Sequence, residues 1–167
     1  MTLALTFSQA LWFLPLALPI CIWVAYSDLR DMRIPNVAVL ALTAVFLVMG
    51  LFALPLDAYA MRLVQLVVVL IAGFIITSLG MAGAGDSKFA AAMAPFIAPG
   101  DYLFFLLLFS MVLIASWITH RSAGRVPAVR RATAGWTSWD QGKLFPMGIA
   151  LAGSLVIYLA LGINAGL

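Results

Sequence analysis

Six aspartates supply every acidic side chain of this 167-residue chain: Asp28, Asp31, Asp57, Asp86, Asp101 and Asp140. Glutamate is absent, and there is one histidine, His120, and one cysteine, Cys21. A zinc site, an iron–sulfur cluster or a disulfide framework within one chain is therefore excluded, and no metal or cofactor is expected. His120 reads as a loop histidine at a helix end. Carboxylate pairs remain as a chemical device. Two carboxyls a few Å apart cannot both ionise easily and share a proton. One then acts as base toward a water, and the other, protonated, donates to a scissile carbonyl. Asp86 is the most conspicuous candidate. It stands in Gly83-Ala84-Gly85-Asp86-Ser87-Lys88, inside a region that otherwise reads as continuous hydrocarbon from residue 80 to 118. Ionisable groups at membrane depth cost roughly 2.5–3.5 kcal/mol each by insertion scales, so they persist where they are solvated, paired or used. Gly83 and Gly85 permit a sharp turn and close approach of another chain, with positive φ expected at Gly85. The proposed partner is Asp28.

Simpler roles compete for these residues. An aspartate before a helix also serves as an N-cap, accepting a backbone N–H of the next turn, and capping is compatible with catalysis. Asp28, taken alone, reads as a loop carboxylate paired with Arg30 or Arg33, and Asp31 rivals it. Lys88 is an interfacial anchor or a charge partner of Asp86. The basic run from Arg121 to Arg131 signals topology and contacts anionic membrane lipid.

The elements that position these groups are membrane helices. The chain is 65% hydrophobic and 9% charged, with a mean hydropathy of +1.15. A soluble domain is nearer 45–50% apolar and about 25% charged. Long apolar runs, rather than ten-residue alternation, give an all-α integral membrane protein and not a barrel. The reading is one polytopic domain over 1–167, with about six spans: 11–26, 35–53, 60–79, 87–98, 102–119 and 144–163. No nucleic-acid partner is expected, and the oligomeric state is left open. The first span reads as a retained helix and not as a signal peptide. Pro35 opens the second span, where its missing N–H costs nothing. The fourth span is too short as an α-helix for ~30 Å of hydrocarbon. Charge counting nevertheless favours a crossing there. Six spans place Arg30, Arg33, Lys88, Arg121, Arg125, Arg130, Arg131 and Lys143, eight of nine basic residues, on one face, with only Arg62 opposite. Those loops are then cytoplasmic. The turn at 83–88 dips into the membrane boundary, and Asp28 and Asp86 share the cytoplasmic face.

Gly83-Ala84-Gly85-Asp86 with Lys88 resembles the GxGD motif of the type IV prepilin peptidases, polytopic aspartyl proteases. That family places its other catalytic aspartate six residues ahead of a Pro-Asp or Pro-Asn pair. Asp28, followed by 29–34 and then Pro35-Asn36, matches this spacing and selects Asp28 over Asp31. Phe145-Pro146-Met147-Gly148 is similar to the family's Pro-x-Gly signature near the last span. The resemblance implies a GxGD aspartyl protease-like bundle in the bacterial inner membrane, cutting the leader from a prepilin or pseudopilin precursor. It also implies a short, peptidase-only form like that of tight-adherence (Flp) pili. Longer members carry cysteine pairs in an N-terminal segment and methylate the new terminus, and those pairs are missing here. Asp28 and Asp86 are the expected catalytic pair. In cleavage, Asp31, Asp57, Asp101 and Asp140 are expected to tolerate Asp→Asn far better than this pair. The rival readings are an ion-coupled transporter using the aspartates as a proton relay, and a non-catalytic assembly scaffold.

Overall fold

A computed structural model describes residues 3–142 and 144–164. Lys143, counted above among the basic residues, lies outside the described residues. Among the described residues there are seven α-helices: α1 (Phe7–Asp31), α2 (Asn36–Ala53), α3 (Leu56–Ser78), α4 (Ala84–Met93), α5 (Tyr102–Ala123), α6 (Pro127–Ala132) and α7 (Met147–Asn164). Among the described residues, α1, α2, α3, α5 with the turn before it, and α7 are long and apolar enough to cross a membrane. The short α4 brings the architecture to about six membrane-embedded helices, and the protein is an all-α, multi-pass membrane protein.

Several boundaries differ from the sequence expectation for local reasons. The polar stretch 27–33 is not a loop through most of its length. α1 continues to Asp31, and Met32 caps it in the left-handed region, φ 52°, donating its N–H to Asp28 O. Hydropathy marks where hydrocarbon ends, whereas a helix ends where its backbone turns. Pro35 is the N-cap of α2 and not its first helical residue. His120 belongs to the last turn of α5 and is buried, so it is not a loop residue.

α1 and α7 form the most extensive helix pair, with α2 and α4 packed on them. Phe13 of α1, Phe46 of α2 and Phe96 meet as a triangle of rings, with centroids 5.0–5.8 Å apart. The interior of the bundle is densest around α4 and its continuation, where residues 91–98 are all buried. α3 crosses α4 closely at Gly73. A Cβ there would lie 3.0 Å from Ser87 Cβ, and Thr77 and Ser87 hydroxyls bond beside it at 2.8 Å.

α4 is ten residues long, about 15 Å at 1.5 Å per residue. The chain then stretches. Ala94–Phe96 is a 3-10 turn, rising about 2 Å per residue, and Ile97 and Ala98 are extended. The segment therefore reaches roughly 28 Å, comparable to the ~30 Å hydrocarbon thickness. Its two ends mark the distance. Asp86 shares a cavity with Asp28 at the end of α1, while Asp101 bonds the backbone of Ala4 and Leu5 ahead of α1. Pro95 and the 3-10 turn free carbonyls that an α-helix would have used. Two side chains one turn apart on α3 satisfy them. Arg62 Nη1 donates to Pro95 O at 2.8 Å, and Gln65 Nε2 donates to Ala94 O and Ile97 O. Arg62, which the charge count set apart from the other basic residues, is thus a buried structural donor.

Asp101 is 4% exposed. It accepts from Ala4 N at 2.8 Å, Leu5 N at 3.0 Å and Tyr158 Oη at 2.6 Å. Asp101 is thus a structural acceptor remote from the cavity of Asp28 and Asp86. It ties the residues ahead of α1 to α7.

Candidate active site

The first turn of α4 carries the glycine-aspartate motif. Gly83 is the N-cap, at φ −68°, and no side chain caps this helix end. Asp86 sits three residues in, so it is not the N-cap that a purely local reading allows. Its carboxyl folds back over Gly83. A Cβ on Gly83 would lie 2.6 Å from Asp86 Oδ2. Gly83 therefore makes room for the aspartate of its own motif. Gly85 is helical, and the only positive-φ glycines among the described residues are Gly80 and Gly142. The expectation of positive φ at Gly85 is corrected: the left-handed turn between α3 and α4 falls on Gly80, φ 72°. What Gly85 accommodates is Ile34, whose Cβ is 3.4 Å from where a Cβ would sit.

Asp28 lies in the last turn of α1 and is 5% exposed. No arginine pairs with it among the described residues. Arg30 pairs with Asp31 instead, at 3.7 Å on the exposed side. Asp28 Oδ2 accepts the backbone N–H of Gly148 at 2.6 Å. Gly148 is the second residue of α7, where the backbone N–H groups have no partner within the helix. Pro146, fully buried, precedes that helix. A Cβ on Gly148 would lie 2.9 Å from both Cβ and Oδ2 of Asp28. The glycine is what lets the start of α7 reach the carboxyl. Its N–H is a positive helix end aimed at an acid.

The segment between α1 and α2 closes over the motif. Ser27 Oγ donates to Arg33 O at 2.9 Å, Ile34 packs on Gly85, and Lys88 Nζ reaches Asn36 Oδ1 at 3.4 Å. The two sequence motifs, Pro35-Asn36 and the glycine-aspartate turn, are thus in contact. Asp28 and Asp86 both line a cavity of about 1570 Å³, and Asp86 is near enough for its charge to act on Asp28. Among the described residues no hydrogen bond joins the two carboxyls, and the acceptor bond of Asp28 goes to Gly148. Asp31 reaches the same cavity from its exposed rim, with Arg33 and Lys88. The opposite wall is apolar, with Leu113, Ile114 and Trp117 of α5 and Phe145 and Met147 ahead of and opening α7. Asp57 and Asp140 are exposed and lie elsewhere. Sequence reasoning missed the interior roles of Gly73, Gln65 and Asp101. Only the small size of Gly73 among bulky α3 neighbours hinted at one of them.

The profile of the type IV leader peptidase family matches residues 15–119. The chain belongs to the type IV leader peptidase family. The matched stretch runs from within α1 to the end of α5 and holds both Asp28 and Asp86. Pro146 and Gly148 lie beyond it, so the approach of Gly148 to Asp28 is an observation of the fold alone. No curated protein and no solved structure matches the chain significantly. The cavity joins two kinds of lining. It has two buried or half-buried carboxyls on one side, and apolar side chains from α5 and the start of α7 in the same lining.

Proposed function

We propose that this leader peptidase is an aspartic endopeptidase with Asp28 and Asp86 as its catalytic pair. It removes the leader of type IV prepilins of the tight-adherence (Flp) kind at the cytoplasmic boundary of the bacterial inner membrane. The observation that carries the proposal is the placement of both carboxyls in one cavity at the basic end of the bundle. The precursor's apolar helix lies in the bilayer along Leu113, Ile114 and Trp117, and its cut site is extended across the two aspartates. Gly83, Gly85, Lys88, Pro35, Asn36, Pro146 and Gly148 shape and hold the pair. The pair carries one proton. The ionised carboxyl takes a proton from water as the water oxygen attacks the scissile carbonyl carbon, and the protonated carboxyl donates to the carbonyl oxygen. Collapse of the tetrahedral species breaks the C–N bond: the departing amine takes the proton that the first carboxyl removed from water, and the oxygen returns its proton to the second carboxyl, which restores the pair.

The enzyme leaves the new N-terminus unmethylated. The support is that these residues hold one cysteine, Cys21, buried in α1, and so none of the cysteine pairs associated with the methylating forms. The decisive experiment incubates a purified Flp-type precursor with the enzyme in liposomes, with mass spectrometry of the product. The wild type should yield the leaderless pilin with a free amine, and Asp28→Asn and Asp86→Asn should leave the precursor intact. Robust cleavage by Asp86→Asn would sink the aspartic assignment, and a methylated product would sink the short-form assignment.

A further inference from the structure

A second pocket lies between the end of α5 and the 3-10 turn Thr137–Trp139, apart from the aspartate cavity. It encloses about 200 Å³ and is lined by His120, Arg121, Gly124, Arg125, Arg130, Ser138 and Trp139. That is several times the ~30 Å³ a water occupies in the liquid. His120 is 7% exposed and Ser138 is 3% exposed. Neither ring nitrogen of His120 and not the Ser138 hydroxyl has a hydrogen-bond partner among the described residues. Buried polar atoms are nearly always paired, so three orphans lining one pocket call for a ligand rather than for packing. Apolar contacts hold the histidine in place. Its ring stacks on Trp139 at 4.6 Å and meets the edge of Phe145 at 5.8 Å.

The charge of the pocket decides the ligand's sign. Three arginines line it. Arg121 is partly engaged, with Nη2 donating to Gly142 O at 2.7 Å. Arg130 lies 3.4 Å from Asp140, which is the one acid at the rim and is largely exposed. Arg125 is exposed and makes no side-chain hydrogen bond among the described residues. Arginine forks match the oxygens of a phosphate, and a hydroxyl and an imidazole N–H add neutral donors. A metal cation is disfavoured by the same three charges.

We propose that this pocket binds a phosphate group, carried by an anionic lipid headgroup or by a soluble phosphate. The site does not rest on the peptidase reading, and its test is read by binding. His120 is the chain's only histidine, so histidine-selective isotope labelling places one NMR reporter inside the pocket. The full-length labelled protein in neutral detergent is titrated with inorganic phosphate and, separately, with dihexanoylphosphatidylglycerol, at constant pH and with sodium chloride matching the ionic strength. A saturable shift of the His120 ring signal is expected with at least one probe and not with sodium chloride. Saturation by the lipid alone identifies a headgroup site, and saturation by inorganic phosphate alone identifies a soluble ligand. Arg125→Gln, a surface change that leaves the core intact, and Ser138→Ala should each weaken binding about tenfold. Weakening by either variant supports the site. No saturable shift with either probe, or a shift that neither variant weakens, overturns it.

Discussion

The backbone N–H of Gly148 donates to Asp28 Oδ2 at 2.6 Å, joining residues 120 positions apart inside the bundle. The start of α7 thereby fixes the acid at the end of α1. A methyl group at 148 would lie 2.9 Å from the Asp28 carboxyl, too close without displacement. Gly148→Ala should therefore lower kcat/KM for precursor cleavage by about 100-fold or more, as small misplacements of catalytic groups do. The protein should still fold and insert. Gly135→Ala, where a Cβ meets nothing within 4 Å, should leave cleavage unchanged. Equal activity of the two variants would contradict a positioning role for α7.

The glycine-aspartate turn separates two kinds of glycine. A Cβ at Gly83 collides with Asp86 Oδ2, whereas one at Gly85 makes an ordinary contact with Ile34. Gly83→Ala should impair cleavage strongly by forcing the carboxyl from its place. Gly85→Ala should be tolerated, while Gly85→Val crowds Ile34 and should not be. Steady-state cleavage by the three variants, at matched expression, checks the order; a more damaging Gly85→Ala than Gly83→Ala would reverse the assignment.

A shared proton dictates the pH profile. Below the lower apparent pKa both carboxyls are protonated and the base is lost. Above the upper one both are ionised and the donor is lost. The rate should be bell-shaped, with both pKa values belonging to the pair. Two like charges facing one cavity push the second ionisation upward. Asp28→Asn and Asp86→Asn should each remove nearly all activity, and the double variant should be little worse. Multiplicative losses in the double variant would show that the two acids act separately.

Asp101 should matter to stability and not to chemistry. Its carboxylate accepts two backbone N–H groups and the Tyr158 hydroxyl. Asn offers one carbonyl oxygen and an amide that cannot accept, so donors are left unmatched. Hydrogen bonds to charged groups are worth about 1.5–3 kcal/mol each. Asp101→Asn should lower the melting temperature in detergent clearly, while cleavage per folded molecule stays near wild type. Asp57→Asn, on the surface, should change neither. A melting temperature unchanged by Asp101→Asn would refute the anchor.

The basic end of the bundle should face the cytoplasm. Cysteines introduced into 122–135 should be shielded from a membrane-impermeant thiol reagent in intact cells, and one introduced at Asp57 should be labelled. Labelling of the 122–135 stretch in intact cells would invert the orientation and remove the cytoplasmic active site.

The chain's sequence by itself determined that the protein is a bundle of membrane helices, because hydropathy is a local property that each run carries alone. It also carries the short roster of acids, from which the resemblance to the leader peptidases' motifs selects Asp28 and Asp86. The tertiary structure decided what each of these groups meets. Nothing near residue 148 signals that its N–H ends on Asp28, since the packing of α1 on α7 sets that contact and no periodicity encodes it. Asp101 and Asp57 look alike in the sequence, both close to a proline in a short polar turn. One is buried against Ala4, Leu5 and Tyr158 and the other faces out, because only the first lies where the start of the chain returns to α7. The fourth span was ambiguous by length, since a count of α-helical residues cannot anticipate the change of rise at Pro95. That change depends on Arg62 and Gln65, a helix away, supplying the donors that the stretched backbone needs.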